Sequence, residues 1–344
     1  MVEFTPGRAP TEEVLFARDG RLGRVRLNRP RAINALTEDM CLSMGAELKA
    51  WASDDSIAAV SIEGAGEKGL CAGGDVVAVR TLALMLDPSA GDFWEAEYAL
   101  DALIHDYPKP VIAVQDGIVM GGGVGLSGYA DLRLATERSR IAMPETIIGF
   151  FPDVGALYLL ANAPGELGTH MALTGATISG ADAVAVGISD VLVNSADVPE
   201  ILARVAETGE VDRGVGITAP YSELLAQRSW IDECYVGNSA QDILERLVAH
   251  PAPGAQDAAQ AILSRSPLSV SVTLEALRRA QDLPSAVEVL KQDAVVAPNF
   301  LALDSDFTEG VRARLVEKDN TPKWRHSSLL EVSRDEVLDF FVAH

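Results

Sequence analysis

Two glycine clusters, Cys71-Ala-Gly-Gly-Asp75 and Met120-Gly-Gly-Gly-Val-Gly125, each follow a strand-like run and each open a stretch with helical periodicity. Glycine at such a corner lets a ligand approach the main chain, and the first turn of a helix carries amides with no partner inside the helix. A chain that twice passes from strand through glycine to helix implies an α/β core with crossover connections. The segments around the clusters agree. Val14 to Asn28 alternates as a hairpin turning at Asp19-Gly20. Thr37 is placed to cap a helix running to about Ser53, with Leu42, Leu48 and Trp51 on its apolar side. Short strands are predicted over 58–66, Pro110 to Val114, Leu132 to Ala135 and Val191 to Asn194, with helical stretches between them.

After about Ile217 the texture changes to amphipathic helical segments, Ala240 to Ala249, Asp257 to Ser264 and Leu268 to Ala280, with Pro251-Ala-Pro-Gly254 as an exposed joint. The 344 residues therefore divide into an α/β core over 1–216 and a helical C-terminal region over 217–344, in keeping with roughly 100 to 200 residues per domain. Hydrophobic residues make up 48% and charged ones 23%, the balance of a chain that folds as a globular enzyme. The net charge of −22 repels phosphate backbones and anionic lipid, so nucleic acid and membrane surfaces are excluded as partners. An anionic ligand then requires a local basic or dipolar pocket. No apolar run approaches the roughly 18 residues of a membrane span, and Met1 to Thr11 lack the core of a signal peptide. Cys41, Cys71 and Cys234 are odd in number and far apart, which fits a reducing compartment. The expectation is a cytoplasmic protein.

Two helix starts opened by glycine can aim two N–H groups at one carbonyl oxygen, which makes acyl transfer the leading chemistry. The plainer reading of the first cluster is a tight turn whose Asp75 caps the next helix. Gly123-Val-Gly-Leu-Ser-Gly128 matches a dinucleotide fingerprint, but the next strand begins four residues after Gly128, too soon for a crossover helix of several turns. Glu145 and Asp153 lie eight residues apart with Gly149 and Pro152 between them, so a turn can bring both carboxylates to one site. Equally, Glu145 suits a helix's first turn and Asp153 the cap of the next helix. His105, His170, His250, His326 and His344 form no close pair and have no acid at metalloenzyme spacing, so no metal is expected. Cys71 has no nearby His and reads as a small buried thiol rather than a nucleophile.

Four motifs in order, Asn28-Arg-Pro30 with Asn34-Ala-Leu36, Gly64-Ala-Gly66 with Cys71-Ala-Gly-Gly-Asp75, Met120-Gly-Gly-Gly123, and Met143-Pro-Glu-Thr146, resemble the crotonase (enoyl-CoA hydratase/isomerase) superfamily. A narrower resemblance, to its 3-hydroxyisobutyryl-CoA hydrolase branch, rests on Gly149-Phe-Phe-Pro-Asp153-Val-Gly155, Ile231-Asp-Glu-Cys234, Ser266-Pro267 and the run from Phe307 through Arg312, Lys318-Asp319 and Pro322-Lys-Trp324. The likeness spans nearly the whole chain. It departs between Lys291 and Asp304, where the acidic, Tyr-Arg-bearing helix of that branch is missing.

The resemblance implies a crotonase-like α/β spiral of repeated β-β-α units with a helical C-terminal region, and hydrolysis of a short 3-hydroxyacyl-CoA such as 3-hydroxyisobutyryl-CoA in valine breakdown. It assigns Gly74 and Gly122 as oxyanion donors flanked by Gly73 and Gly121, Glu145 and Asp153 as the catalytic carboxylates, and Glu97 as the acid that holds the substrate hydroxyl. Without the resemblance Glu97 is a solvated helix residue. Arg29, Ala32, Leu36, Lys68 and Cys71 are assigned to the CoA nucleotide, although Arg29 and Lys68 alone read as surface charges. CoA arrives as part of the substrate, so no separate cofactor is implied; trimer-based assembly is. Hydratases of the superfamily carry a glutamate where this chain has Gly125, which fits hydrolysis better than hydration. The rival readings are a hydratase or isomerase of the same fold, or an inactive CoA-binding protein.

Overall fold

Strands in pairs account for the α/β part of the structure, a computed structural model that describes residues 2–9 and 11–343. The strands are β1 (Thr5–Pro6), β2 (Val14–Asp19), β3 (Leu22–Leu27), β4 (Ala59–Gly64), β5 (Gly69–Cys71), β6 (Val111–Gln115), β7 (Ile118–Met120), β8 (Leu132–Thr136), β9 (Arg140–Ala142), β10 (Ile178–Ser179) and β11 (Val191–Val193). They form a larger sheet in the order β1-β2-β3-β4-β6-β8-β11 and a smaller one in the order β10-β9-β7-β5. The larger sheet is antiparallel through β3 and parallel beyond it. Each pair β4/β5, β6/β7 and β8/β9 sends its first strand to the larger sheet and its second to the smaller. The helices Val76–Leu84 and Gly122–Gly128 follow the first two pairs along the chain. This is the repeated β-β-α spiral that the resemblance implies.

By internal contacts the chain forms two compact units. The first runs to Gly74 and resumes over Ala96–Ile141 and Ile178–Ser222; the second takes Asp75–Glu95, Ala142–Thr177 and the described chain from Glu223 onward. The sequence alone suggests a single boundary between residues 216 and 217. The two earlier excursions join the helical unit through contacts that local texture does not reveal. Arg80 Nε donates to the Thr308 carbonyl at 2.8 Å, and Trp94 stacks on Phe150 with ring centroids 5.0 Å apart.

In the first unit Leu22, Ala59, Ile112, Leu132, Leu134 and Val191 of the larger sheet pack with Val198, Ile201, Leu202 and Val205 of the helix Val198–Thr208. The helix Glu38–Ala52 starts as predicted, with Thr37 Oγ1 accepting from the Met40 amide at 3.3 Å. Its buried side is Met40, Cys41, Met44, Leu48 and Trp51. Leu42, predicted on that side, is 53% exposed, because each residue turns the helix by about 100° and position 42 lies beyond the edge that Cys41 sets. In the second unit Leu268, Val270, Leu274 and Leu277 are buried along the helix Pro267–Ala280, which Ser266 caps. Pro253 and Gly254 fall inside the first turn of the helix Pro253–Leu263, so the predicted joint is shorter than the sequence suggests. Among the described residues no helix is long and apolar enough to cross a membrane.

Leu202 is 1% exposed, and its truncation to alanine empties core volume, whereas Leu42 loses little by the same change. Urea denaturation is expected to show L202A destabilised by about 2–5 kcal/mol and L42A altered by no more than about 0.5 kcal/mol.

Candidate active site

Within the first unit the two glycine corners meet. Leu36 pairs with Gly74 in a parallel bridge, its amide donating to the Gly73 carbonyl at 2.9 Å, so the chain leaving β5 is pinned through Gly74. A methyl built on Gly73 would lie 3.9 Å from the Gly122 amide nitrogen, which places the first corner beside the start of the helix Gly122–Gly128. Gly121 occupies the cap position without a side-chain cap, and Gly122 is the first residue of the helix, where an amide has no acceptor inside the helix. Gly122 has no room for a side chain: a β-carbon there would sit 2.1 Å from Glu97 Oε1 and 3.0 Å from Leu36 Cδ1. Glu97 is only 2% exposed, so the reading of it as a solvated helix residue is overturned. Its carboxylate lies against the glycine whose amide opens the helix.

Asp101, one helical turn after Glu97 and fully buried, is not marked by any sequence motif, although positions four apart share a helix face. Both carboxylates act on the neighbouring thiols. Burial first, and then Glu97 and Asp101, push the Cys41 thiol well up; burial pushes the Cys71 thiol up to about 12. Cys71 is therefore the inert buried thiol expected from the sequence.

The segment assigned to the nucleotide is held by a residue given no role at the sequence level. Asn34 is fully buried, accepts the Arg29 amide on Oδ1 at 3.0 Å, and donates from Nδ2 to the carbonyls of Ala65 and Gly69 at 3.1 Å each. It fastens the loop of residues 29–36 to the loop before β5. Arg29 is more than a surface charge: it pairs with Glu13 at 3.1 Å and donates to the Ala35 carbonyl at 2.7 Å. Leu36 and Cys71 are completely buried, while Ala32 and Lys68 are exposed.

Within the second unit, Glu145 opens the short 3-10 helix Glu145–Ile148, which ends at Gly149 in a left-handed conformation with φ 71°. The chain then runs without regular structure through Phe150 to Asp153, whose charge acts on Glu145. Gly149 and Pro152 thus act as the predicted breaks. Trp94, Phe150, Phe151, Phe300 and Phe307 form an aromatic cluster around this segment, with Phe151 stacked on Phe300 at 5.6 Å. Glu145 is 7% exposed and its Oε2 has no hydrogen-bond partner among the described residues. Burial, and after it the charge of Asp153, pushes the Glu145 carboxyl well above the usual carboxylate range. A carboxyl so placed has a heightened affinity for protons, as a general base or a nucleophile requires.

The cap of the helix Ala156–Ala161 is Gly155 and not Asp153. The Gly155 amide donates at 2.8 Å to Asp293 Oδ2, from a residue 138 positions away. Asp293 belongs to the helix Ala286–Val296, inside the stretch where the sequence departs from the branch it resembles, and it is fully buried. No signal in the sequence marks it. The histidines are dispersed: His105 meets Asp106, His170 meets Tyr235, His250 meets Glu233 and His326 meets Glu336, while His344 lies outside the described residues. No group of three or more potential metal-binding side chains occurs among the described residues.

Residues 22–341 match the profile of the enoyl-CoA hydratase/isomerase family. Proteins named mitochondrial 3-hydroxyisobutyryl-CoA hydrolase are 36% identical in Rattus norvegicus, over 96% of this chain and 89% of that protein, and 34% identical in Homo sapiens, over 96% and 88%. Two similar crystal structures have a TM-score of 0.92. One, of a protein named carnitinyl-CoA dehydratase from Mycobacterium thermoresistibile, is 47% identical with 97% of each chain covered. The other, of a protein named enoyl-CoA hydratase from Rhodobacter sphaeroides, is 36% identical over 96% of this chain and 98% of that one.

Removing the Asn34 side chain to Cβ takes a partner from the part-buried Arg29 amide and Ala65 carbonyl and from the buried Gly69 carbonyl. N34A is expected to lose at least about 1–3 kcal/mol of stability in thermal or urea denaturation, the cost of buried groups left unsatisfied.

Proposed function

Because the chain belongs to the enoyl-CoA hydratase/isomerase family, we propose that it hydrolyses a short 3-hydroxyacyl-CoA thioester, with 3-hydroxyisobutyryl-CoA of valine breakdown as the preferred substrate. The observation that carries this reading is the buried Glu145 beside Asp153, its Oε2 unpartnered among the described residues, in a chain whose other candidate carboxylate position, Gly125, has no side chain. The relatives named as hydrolases support the substrate class.

In the proposed reaction the amides of Gly74 and Gly122 hold the thioester oxygen and stabilise the charge that builds on it, an arrangement in which one lost donor costs about 100- to 1,000-fold in rate. Glu97 accepts the substrate hydroxyl, and the loop around Arg29, Ala32 and Leu36 with Lys68 and Cys71 receives the nucleotide; the exposed Ala32 and Lys68 are its accessible members. The Glu145 carboxylate attacks the thioester carbon, the carbon–sulfur bond breaks, and the CoA thiolate leaves and takes up a proton. Water, deprotonated by Asp153, then attacks the Glu145 carbonyl of the mixed anhydride; the bond from that carbonyl to the bridging oxygen breaks, the acyl group leaves as the free acid, and Glu145 is restored with one oxygen from water. Direct attack by a water that Glu145 deprotonates is the other route to the same products. Trimer-based assembly and a cytoplasmic location are carried with the proposal; the three free, buried cysteines fit a reducing compartment.

A second reading, hydration or dehydration of the acyl chain, is favoured by the 47% identity to the protein named as a dehydratase. It lacks a second carboxylate at Gly125 to grip the water. The two readings separate in one assay: hydrolysis releases a free thiol with the enoyl absorbance unchanged, while dehydration creates that absorbance and releases no thiol.

Thiol release from 3-hydroxyisobutyryl-CoA is expected for the purified protein, and E145Q is expected to lower kcat by at least about 100-fold. In water labelled with heavy oxygen, label in Glu145 after one turnover supports the anhydride, and label confined to the product acid is the outcome of direct water attack. Since Glu145 must lose its proton to act, kcat/KM is expected to rise with pH through an inflection above the ordinary carboxylate range. D153N removes the like charge that raises Glu145, so that inflection is expected at lower pH in a pH–rate profile of the variant.

A further inference from the structure

We propose that Asp293 is a positioning residue that works as a neutral carboxylic acid, one oxygen holding the turn after Asp153 and the other carrying a proton donated toward Asp153. The first contact is direct: Asp293 Oδ2 accepts the Gly155 amide at 2.8 Å, two residues beyond Asp153. The second oxygen, Oδ1, is buried and has no hydrogen-bond partner among the described residues. Asp293 is 0% exposed, the helix around it buries Ala286, Val289, Leu290 and Val296, and no described Lys, Arg or His pairs with it. An ionised carboxylate in such surroundings leaves a charged oxygen without compensation, whereas the neutral acid places a hydrogen on the oxygen that lacks a donor.

The charge that acts on Asp293, after burial itself, is that of Asp153, and the same charge acts on Glu145. An ionised Asp153 is thus the common neighbour whose charge acts on both Asp293 and Glu145. A proton donated to Asp153 stabilises that charge and fixes the orientation of the carboxylate, much as a protonated acid serves as a hydrogen-bond donor in a dry site. The turn itself needs such an anchor, since Val154 and Gly155 both adopt left-handed conformations, with φ 52° and 72°.

The kinetic part of this inference rests on the thioesterase reading; the protonation of Asp293 does not. Three proteins test it, the wild type, D293N and D293A, each checked for folding by circular dichroism and thermal melting. Asparagine keeps an oxygen for Gly155 and an N–H for Asp153, so D293N is expected to retain kcat within about threefold. D293A is expected to lose kcat by about 100-fold with KM little changed, the scale of a misplaced catalytic group. Infrared spectra at neutral pH are expected to lose one protonated-carboxyl component on going from the wild type to D293N, the component of Glu145 remaining in both. Equal loss in D293N and D293A, near-normal kcat in both, or a wild type whose protonated-carboxyl band is unchanged by D293N would each overturn the proposal. If D293A fails to fold, D293N activity and the infrared band decide. If the wild type releases no thiol, the thioesterase reading fails while the infrared comparison still judges the protonation of Asp293.

Discussion

A carboxyl group taken out of water without a cation beside it costs several kcal/mol as the ion, and a protein meets that cost either by adding a partner or by keeping the proton. Glu145 and Asp293 are both pushed toward the second course. Neither has an ion-pair partner among the described residues, both are buried, and each carboxyl is raised first by burial and then by Asp153. Phe150 and Phe151, which stand between Glu145 and Asp153 in the chain, are held in an aromatic cluster with Trp94, Phe300 and Phe307, and the charge of Asp153 adds to the effect of burial on Glu145. Packing at this place therefore sets protonation.

The first unit solves a different problem by geometry. A helix start offers amides only where nothing covers it, and in Gly122–Gly128 every residue is buried, so access depends on the absence of side chains rather than on a gap between them. Gly123 shows how close the packing is: a β-carbon there would approach the Cys71 carbonyl to 2.7 Å and the Cys71 Cβ to 3.0 Å. The helix lies directly against the end of β5, and the Leu36 to Gly73 hydrogen bond closes the other side of that strand end. Glu97 then fills the space beside Gly122 that any side chain would have taken. Amide, glycine and carboxylate are in register because the paired strands β4/β5 and β6/β7 repeat one path through the two sheets.

How much of this is legible in the sequence depends on range. Local signals read well. Thr37 caps its helix, Asp75 accepts from the Ala78 amide as a cap should, and both glycine clusters stand between strand and helix. The helical segments 240–249 and 267–280 are visible from periodicity alone. Strands of two or three residues, such as β5, β7, β9 and β10, are too short to carry an alternating pattern, so the second sheet is invisible. Asp293 is invisible for another reason. Its partner, the Gly155 amide, is fixed by tertiary packing across 138 residues, and a single Asp in an apolar helix looks like a misplaced surface charge. Asn34 belongs to a recognisable motif, yet its function as a clasp emerges only when three separate backbone groups meet it.

The departure from the hydrolase branch between Lys291 and Asp304 gains a physical meaning from this. A helix carrying longer polar side chains at this place would have to satisfy their charges in the interior or carry them to the surface. Here Asp293 is a short side chain with one oxygen on a backbone donor and with the charge of Asp153 acting on it, and the residues after it, Ala294 to Val296, bring no charge to the interior. With no cation to draw the proton away, the neutral form of Asp293 is the one that packs. The local sequence change is then compatible with an intact pair of carboxylates at 145 and 153, because a protonated acid can meet the hydrogen-bonding demand of the turn without adding a third negative charge to it.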